Sequence, residues 1–285
     1  MIHDSRVCEL GEGALWHPLR RQLFWFDILG KRLHSVEDGV PRSWSFVEMV
    51  SAAGWVSRDV LLIAGERDLF LFDLETEEIE TLAELEADDP GTRSNDGRAD
   101  RQGGFWIGTM GKRGGDDPGR GSIWRWYRGA LRRLYSGLTI PNSICFSPDG
   151  RFAHFSDTLT HRIQRVALDA DGWPVGAPET FVDLSAEGIL PDGATVDAEG
   201  NLWNAQWAAG RVACYGPDGR LLKAVPMGAS QTSCPAFGGE GLLTLYCTSA
   251  REGMDAAALA ADPEAGKTFA VQGLGPGLPE PQVIL

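Results

Sequence analysis

The stretch Leu190-Pro191-Asp192-Gly193-Ala194-Thr195-Val196-Asp197-Ala198-Glu199-Gly200-Asn201-Leu202-Trp203 carries the grammar of the whole chain. A carboxylate opens it, an apolar run follows, an acidic-Gly turn reverses the chain, and a second apolar run returns. Short apolar runs bounded by such turns read as β-strands of a hairpin. The same order recurs at Asn142-Ser143-Ile144-Cys145-Phe146 before Pro148-Asp149-Gly150, and at Asn95-Asp96-Gly97-Arg98-Ala99 before Gly103-Gly104-Phe105-Trp106. It recurs again at Glu12-Gly13-Ala14-Leu15-Trp16, followed by Leu23-Phe24-Trp25. Every one of these copies opens on a carboxylate or a carboxamide.

The openers Glu12, Asn95, Asn142 and Asp192 are 83, 47 and 50 residues apart. The first step is about twice a repeat of roughly 40–50 residues, the length of one propeller blade. A copy without an acidic opener fills the gap at Ser51-Ala52-Ala53-Gly54-Trp55, and a last one stands at Ser233-Cys234-Pro235-Ala236-Phe237, which makes six. Each unit continues with further short runs, such as Leu69-Phe70-Leu71-Phe72 and Ile79-Glu80-Thr81-Leu82. The pattern predicts an all-β fold, a six-bladed β-propeller of four-stranded antiparallel blades around a central channel, with residues 1–285 as a single domain. An open last blade would template aggregation, so residues 6–10 or 268–271 are expected to supply a closing strand. Residues 252–261, rich in alanine, read as a short surface helix. Residues 84–93 and 111–120 read as excursions from the barrel ends, the second as a lid.

Composition narrows the function. A net charge of −14 leaves no basic face for nucleic acid. No apolar run approaches the ~20 residues of a membrane span. The N-terminus lacks the apolar core of a signal peptide, and five scattered cysteines without a Cys-x-x-Cys read as reduced, buried thiols. The expectation is a cytoplasmic protein, a monomer or weak oligomer, acting on a small molecule.

In a propeller the innermost strands line the channel, so Glu12, Asn95, Asn142 and Asp192 converge from distant parts of the chain. Two carboxylates and two carboxamides make an oxygen-donor site for one divalent cation. Such donors suit Ca, Mg or Mn and do not exclude Zn or Fe(II). Taken singly, each residue reads more readily as a turn-former or a solvated side chain than as a ligand. Their shared place in the repeat favours the site. Asp27 and Asp157, each 15 residues after its opener, read as structural supports. The histidines have no metal-binding spacing, no Gly-x-Ser-x-Gly elbow exists, and the tryptophans Trp106, Trp203 and Trp207 read as blade core. Arg93, two residues before Asn95 and near the expected channel mouth, reads either as a surface charge or, beside a substrate, as the holder of a carbonyl or hydroxyl oxygen.

Together Gly11-Glu12-Gly13-Ala14-Leu15-Trp16, Arg93-Ser94-Asn95-Asp96-Gly97, Trp106-Ile107-Gly108-Thr109-Met110, Ile140-Pro141-Asn142-Ser143, Pro191-Asp192-Gly193 and Ala250-Arg251-Glu252-Gly253-Met254 resemble the SMP-30/gluconolactonase (regucalcin-like) family of sugar lactonases. The resemblance covers nearly the whole chain. It implies one divalent ion held by Glu12, Asn142 and Asp192, with Arg93 and Asn95 contacting substrate. It also implies hydrolysis of a sugar lactone, with Asp192 as the candidate base for a water molecule. Some relatives carry a glutamate before the strand matching Gly121-Ser122-Ile123-Trp124, where this chain offers only Asp116 and Asp117. Two other classes stand beside the enzyme: a calcium-binding regulatory protein without turnover, and a scaffold propeller that binds proteins on its face.

Overall fold

The computed structural model describes residues 1–285 and contains 24 strands in six four-stranded antiparallel sheets. Their innermost strands are Gly11–His17, Val50–Trp55, Thr92–Ala99, Pro141–Phe146, Leu190–Val196 and Thr232–Gly238. Each packs on the next and the last on the first, so the sheets close into a six-bladed propeller around a channel.

Residues 6–10 do not close the ring. The sixth blade runs Thr232–Gly238, Thr244–Ser249, Thr268–Gln272, and its outer strand is Ile2–Asp4 from the N-terminus. Thr268–Gln272 is thus a third strand with an open outer edge, which Ile2 and Asp4 cover opposite Phe269 and Thr268. Residues 5–10 then carry the chain from the rim inward to Gly11, touching the sixth blade only through an isolated bridge between Leu10 and Ala250 and single backbone hydrogen bonds at Cys8 and Glu9. Arg6 is fixed along this path by the Asp4 carboxylate, 2.9 Å away, and by the Ser35 carbonyl.

The alternating apolar residues of neighbouring blades form the core. Phe24, Phe26, Leu33, Leu61 and Ile63 pack between the first two blades, and Trp106, Ile144, Phe146 and Phe155 between the third and fourth. Trp106 and Trp203 are core residues, as the sequence suggests, and their indole N–H groups donate to Asp100 and Asp197. All five cysteines are free and buried. No helix is long and apolar enough to cross a membrane.

Each innermost strand carries an irregularity of register near its upper end, between Glu12 and Leu15, Val50 and Ala52, Ser94 and Gly97, Asn142 and Cys145, Pro191 and Ala194, and Thr232 and Pro235. A bulge bends the strand and re-aims its side chains. The repeat's opening residues therefore turn into the channel. Gly13 takes the left-handed conformation this needs (φ 57°), and a Cβ there would strike the Ser51 carbonyl. At Gly193 a Cβ would stand 2.7 Å from the Ser233 oxygen.

The C-terminal segment crosses the opposite mouth. Val283 N–H donates to Trp55 O, Ile284 N–H to Gly103 O, and Trp55 Nε1 to Glu280 O. Glu280 reaches into the channel and pairs with buried Arg98. The one α-helix spans Ala256–Ala261, shorter than residues 252–261, because Asp255 is its N-cap and accepts the Ala258 N–H at 2.8 Å. Glu252 therefore lies in the loop before it.

Candidate active site

The upper mouth opens into a cavity of about 440 Å³, within the usual range of small-molecule sites. Glu12, Arg93, Asn95, Asn142 and Asp192 all line it. These five come from four different blades and are each at most 6% exposed. None of the five histidines is present. Trp207 faces the cavity and is only partly buried, in contrast to its reading as plain core.

A hydrogen-bond relay fixes the polar side. Arg93 Nη1 donates to the Ser94 carbonyl and to Asn95 Oδ1, both at 2.8 Å. Asn95 Nδ2 donates to Asn142 Oδ1 and to the Pro141 carbonyl, both at 3.0 Å. Asn142 Nδ2 donates to Thr158 Oγ1 at 2.9 Å, whose hydroxyl donates to Pro191 O at 2.9 Å. With its nitrogen so held, the Asn142 amide presents its oxygen to the channel. That is the orienting role a second layer of hydrogen bonds plays at metal sites.

Asp192 differs: no side chain donates to its carboxylate. Burial first, and then the charge of Glu12, raise its pKa well above the usual carboxylate range. Burial and the charge of Asp96 raise Glu12 to about 8, and burial lifts Asp96 to about 6. Burial lowers the pKa of Arg93 despite the nearby Glu252, Glu12 and Asp192. Two buried carboxylates share a site that one arginine does not neutralise. A divalent cation held by Glu12, Asn142 and Asp192 would supply the missing charge, using carboxylate oxygens that no side chain occupies and the lone pair of Asn142 Oδ1 that Asn95 leaves, so the donor set fits a hard divalent ion.

A second group, Cys8, Asp27 and His34, brings its potential ligand atoms within 4.8 Å of one another. Its atoms are already employed. Asp27 accepts the N–H groups of Glu9, Leu10 and Gly30 at 3.0–3.1 Å. His34 Nδ1 lies 2.7 Å from Ser43 Oγ and 3.4 Å from the Arg6 guanidinium, a cation that opposes a metal there. Asp157 holds the N–H groups of Thr139 and Ile140 in the same manner, at 2.9 and 3.0 Å. Both aspartates anchor the chain where it enters an innermost strand, the supporting role their spacing suggests.

The loop of residues 111–120 does reach the mouth, through Lys112, Arg113, Gly114 and Gly115. Neither Asp116 nor Asp117 lines the cavity. Asp117 is buried against Arg113, accepting its N–H at 3.1 Å and its Nε at 2.9 Å. The loop of residues 84–93 braces it: Asp89 pairs with Arg120 at 2.6 Å, and the Gly91 carbonyl accepts the Lys112 N–H. Glu252 also lines the cavity, a position to which the repeat gives no clue because it follows a second strand. The Arg251-Glu252-Gly253-Met254 motif was the available signal.

Fold and cavity define a six-bladed propeller with a pocket at one mouth of its channel that gathers two carboxylates, two carboxamides and an arginine from four blades. Residues 10–251 match the model of the SMP-30/gluconolactonase/LRE-like region, and the chain belongs to that family. It is 39% identical to the L-arabinolactonase of Azospirillum brasilense over 95% of this chain and 91% of that protein. It is 35% identical to the 6-deoxy-6-sulfogluconolactonase of Pseudomonas putida, over 95% of this chain and 94% of the other. Among solved structures it is similar to a calcium-binding protein, regucalcin, from Agrobacterium tumefaciens C58, with a TM-score of 0.97 and 40% identity, covering 100% of this chain and 97% of that one.

Proposed function

We propose that this protein is a divalent-metal-dependent hydrolase that opens a sugar (aldono-)lactone to the aldonic acid. The observation that carries the reading is the meeting of Glu12, Asn142, Asp192 and Arg93 in one small-molecule cavity. The lactonase names of relatives similar along nearly their whole length support it.

Glu12, Asn142 and Asp192 would hold the ion. When bound, such an ion supplies Lewis acidity to a carbonyl oxygen and lowers the pKa of water. The chain's own residues do the rest. Arg93, whose cost of burial the charges of nearby carboxylates partly offset, orients the sugar oxygens and opposes negative charge developing on the lactone carbonyl. Asn95 holds both Arg93 and the Asn142 amide in place. Asp192, free of side-chain donors, takes the proton from the attacking water. Leu10, Ile140, Leu159 and Leu190 on the cavity wall limit water to the reacting face.

Titration of acid release from aldonolactones, on chelated protein reloaded with Ca, Mg, Mn, Zn or Fe(II), tests this. Hydrolysis is expected to vanish on chelation and return with metal. Equal rates before and after chelation would overturn the metal's role. The likeness to a protein described as a calcium-binding regucalcin favours a second reading, binding without turnover. Calorimetric metal binding with no acid release from any lactone would select it.

A further inference from the structure

We propose that Glu252 is a specificity-determining residue, the carboxylate that accepts hydrogen bonds from the sugar's hydroxyl groups. The proposal rests on the lactonase reading above.

A polyhydroxylated lactone brings several O–H donors into the cavity, and each needs an acceptor if it is to leave water without loss. The side-chain acceptors lining the cavity are few. Glu12 and Asp192 belong to the cation site. Asn95 Oδ1 is taken by Arg93, and Asn142 Oδ1 by Asn95. Thr158 Oγ1 accepts from Asn142 and donates to Pro191 O. The remaining polar lining on the third blade, Lys112 and Arg113, consists of donors already paired with Glu66 and Asp117. Glu252 is the one lining side-chain acceptor with neither a protein partner nor a place among the cation's ligands.

Its position suits the role. Glu252 follows the second strand of the sixth blade and lines the same cavity as Arg93 on the third, close enough for the two charges to act on each other. A substrate there meets Arg93 as donor and Glu252 as acceptor. The loop is held for this: Arg251 N–H donates to Glu9 O at 2.9 Å, Met254 N–H to Arg251 O at 2.9 Å, and Gln231 Nε2 to the Glu252 carbonyl at 3.1 Å. The backbone is pinned while the carboxylate is left free. Asp116 and Asp117, the acidic residues of the loop of residues 111–120, are absent from the cavity, so no other carboxylate competes for the task.

The test compares a hydroxylated aldonolactone with unsubstituted δ-valerolactone, using metal-loaded parent, Glu252→Gln and Glu252→Ala. For the hydroxylated substrate kcat/KM should fall roughly 10–100-fold in Glu252→Ala, mainly through KM, as expected when a hydrogen bond to a charged group is lost. Glu252→Gln, which keeps a neutral acceptor, should recover part of that loss. For δ-valerolactone, which offers Glu252 no hydroxyl group, the loss should be several-fold smaller than for the hydroxylated lactone at saturating metal. Equal losses on both lactones, or none on either, would overturn the assignment. Failure of the parent to open either lactone is a separate result: it removes the lactonase reading, and this proposal with it.

Discussion

Asp192 and Asp197 stand five residues apart on one strand and its following turn, and are buried alike, 4% and 5% exposed. Their surroundings are opposite. Asp197 Oδ1 accepts the N–H groups of Glu199 and Asn201 at 3.0 and 2.9 Å, and its Oδ2 accepts Asn201 Nδ2 and Trp203 Nε1, both at 2.9 Å. Asp192 has no side-chain donor, and the charges that act on it most, Glu12 and Asp96, are of its own sign. Burial does not tell a structural carboxylate from a functional one. The supply of donors does: one end of the strand is finished by the protein, and the other is left without donors, as the proposed cation site requires.

The sharpest way to break this contrast is Asp192→Asn. The amide keeps an oxygen that can face a cation but loses the proton acceptor. Turnover is expected to fall roughly 10²–10⁴-fold even at saturating metal. Kinetics across a metal titration check it. Full recovery of rate at high metal would make Asp192 a ligand only, and the base would have to be sought elsewhere in the cavity.

Asp197→Ala sharpens the contrast from the other side. Four donors lose their acceptor, among them the buried Asn201 N–H and Trp203 indole N–H, and leaving buried donors unsatisfied costs about 1–3 kcal/mol. Denaturant unfolding should show a loss of about 2–3 kcal/mol. Metal affinity should stay that of the parent. A variant that keeps its stability but loses metal would reverse the roles assigned to the two aspartates.

The repeat made most of this visible in the sequence. Glu12, Asn142 and Asp192 share one offset in their blades, and a propeller must bring that offset to the channel. Asp27 and Asp157 were legible for the same reason. What escaped was whatever the repeat does not copy. The closing strand Ile2–Asp4 has only three residues, too few for a pattern, so residues 6–10 with their Val-Cys-Glu-Leu run looked better. Glu252 sits in a loop unique to the sixth blade, and its place at the mouth depends on where the chain leaves Thr244–Ser249. The Arg98–Glu280 pair joins residues 182 apart in sequence and depends on the C-terminal segment crossing the lower mouth. Trp207 is aromatic like the core tryptophans, and only the end of its strand, opposite Leu190, brings it to the cavity.

The smallest expected effect, per step of pH, follows from leaving Asp192 and Glu12 without their cation. Burial raises both folded-state pKa values above the ordinary carboxylate range, Glu12 to about 8 from 4.5. A carboxyl with a raised folded pKa lends its full stability below the unfolded value, where it is protonated in both states. It loses that stability as the pH climbs toward the folded value, because the folded protein must then release a proton it holds more tightly. Metal-free protein should therefore unfold more easily as the pH rises from about 4.5 to about 8, with a slope no steeper than about 1.4 kcal/mol per pH unit for each proton. With metal the dependence should reverse, since the cation binds the ionised carboxylates and competes with protons for them. Melting curves of chelated and metal-loaded protein across that window decide it. Asp197 is not among the residues proposed to hold the ion, so Asp197→Asn should leave the metal-dependent change of slope intact, whereas Glu12→Gln should shrink it. Equal slopes with and without metal would mean that the ion binds somewhere other than between Glu12 and Asp192.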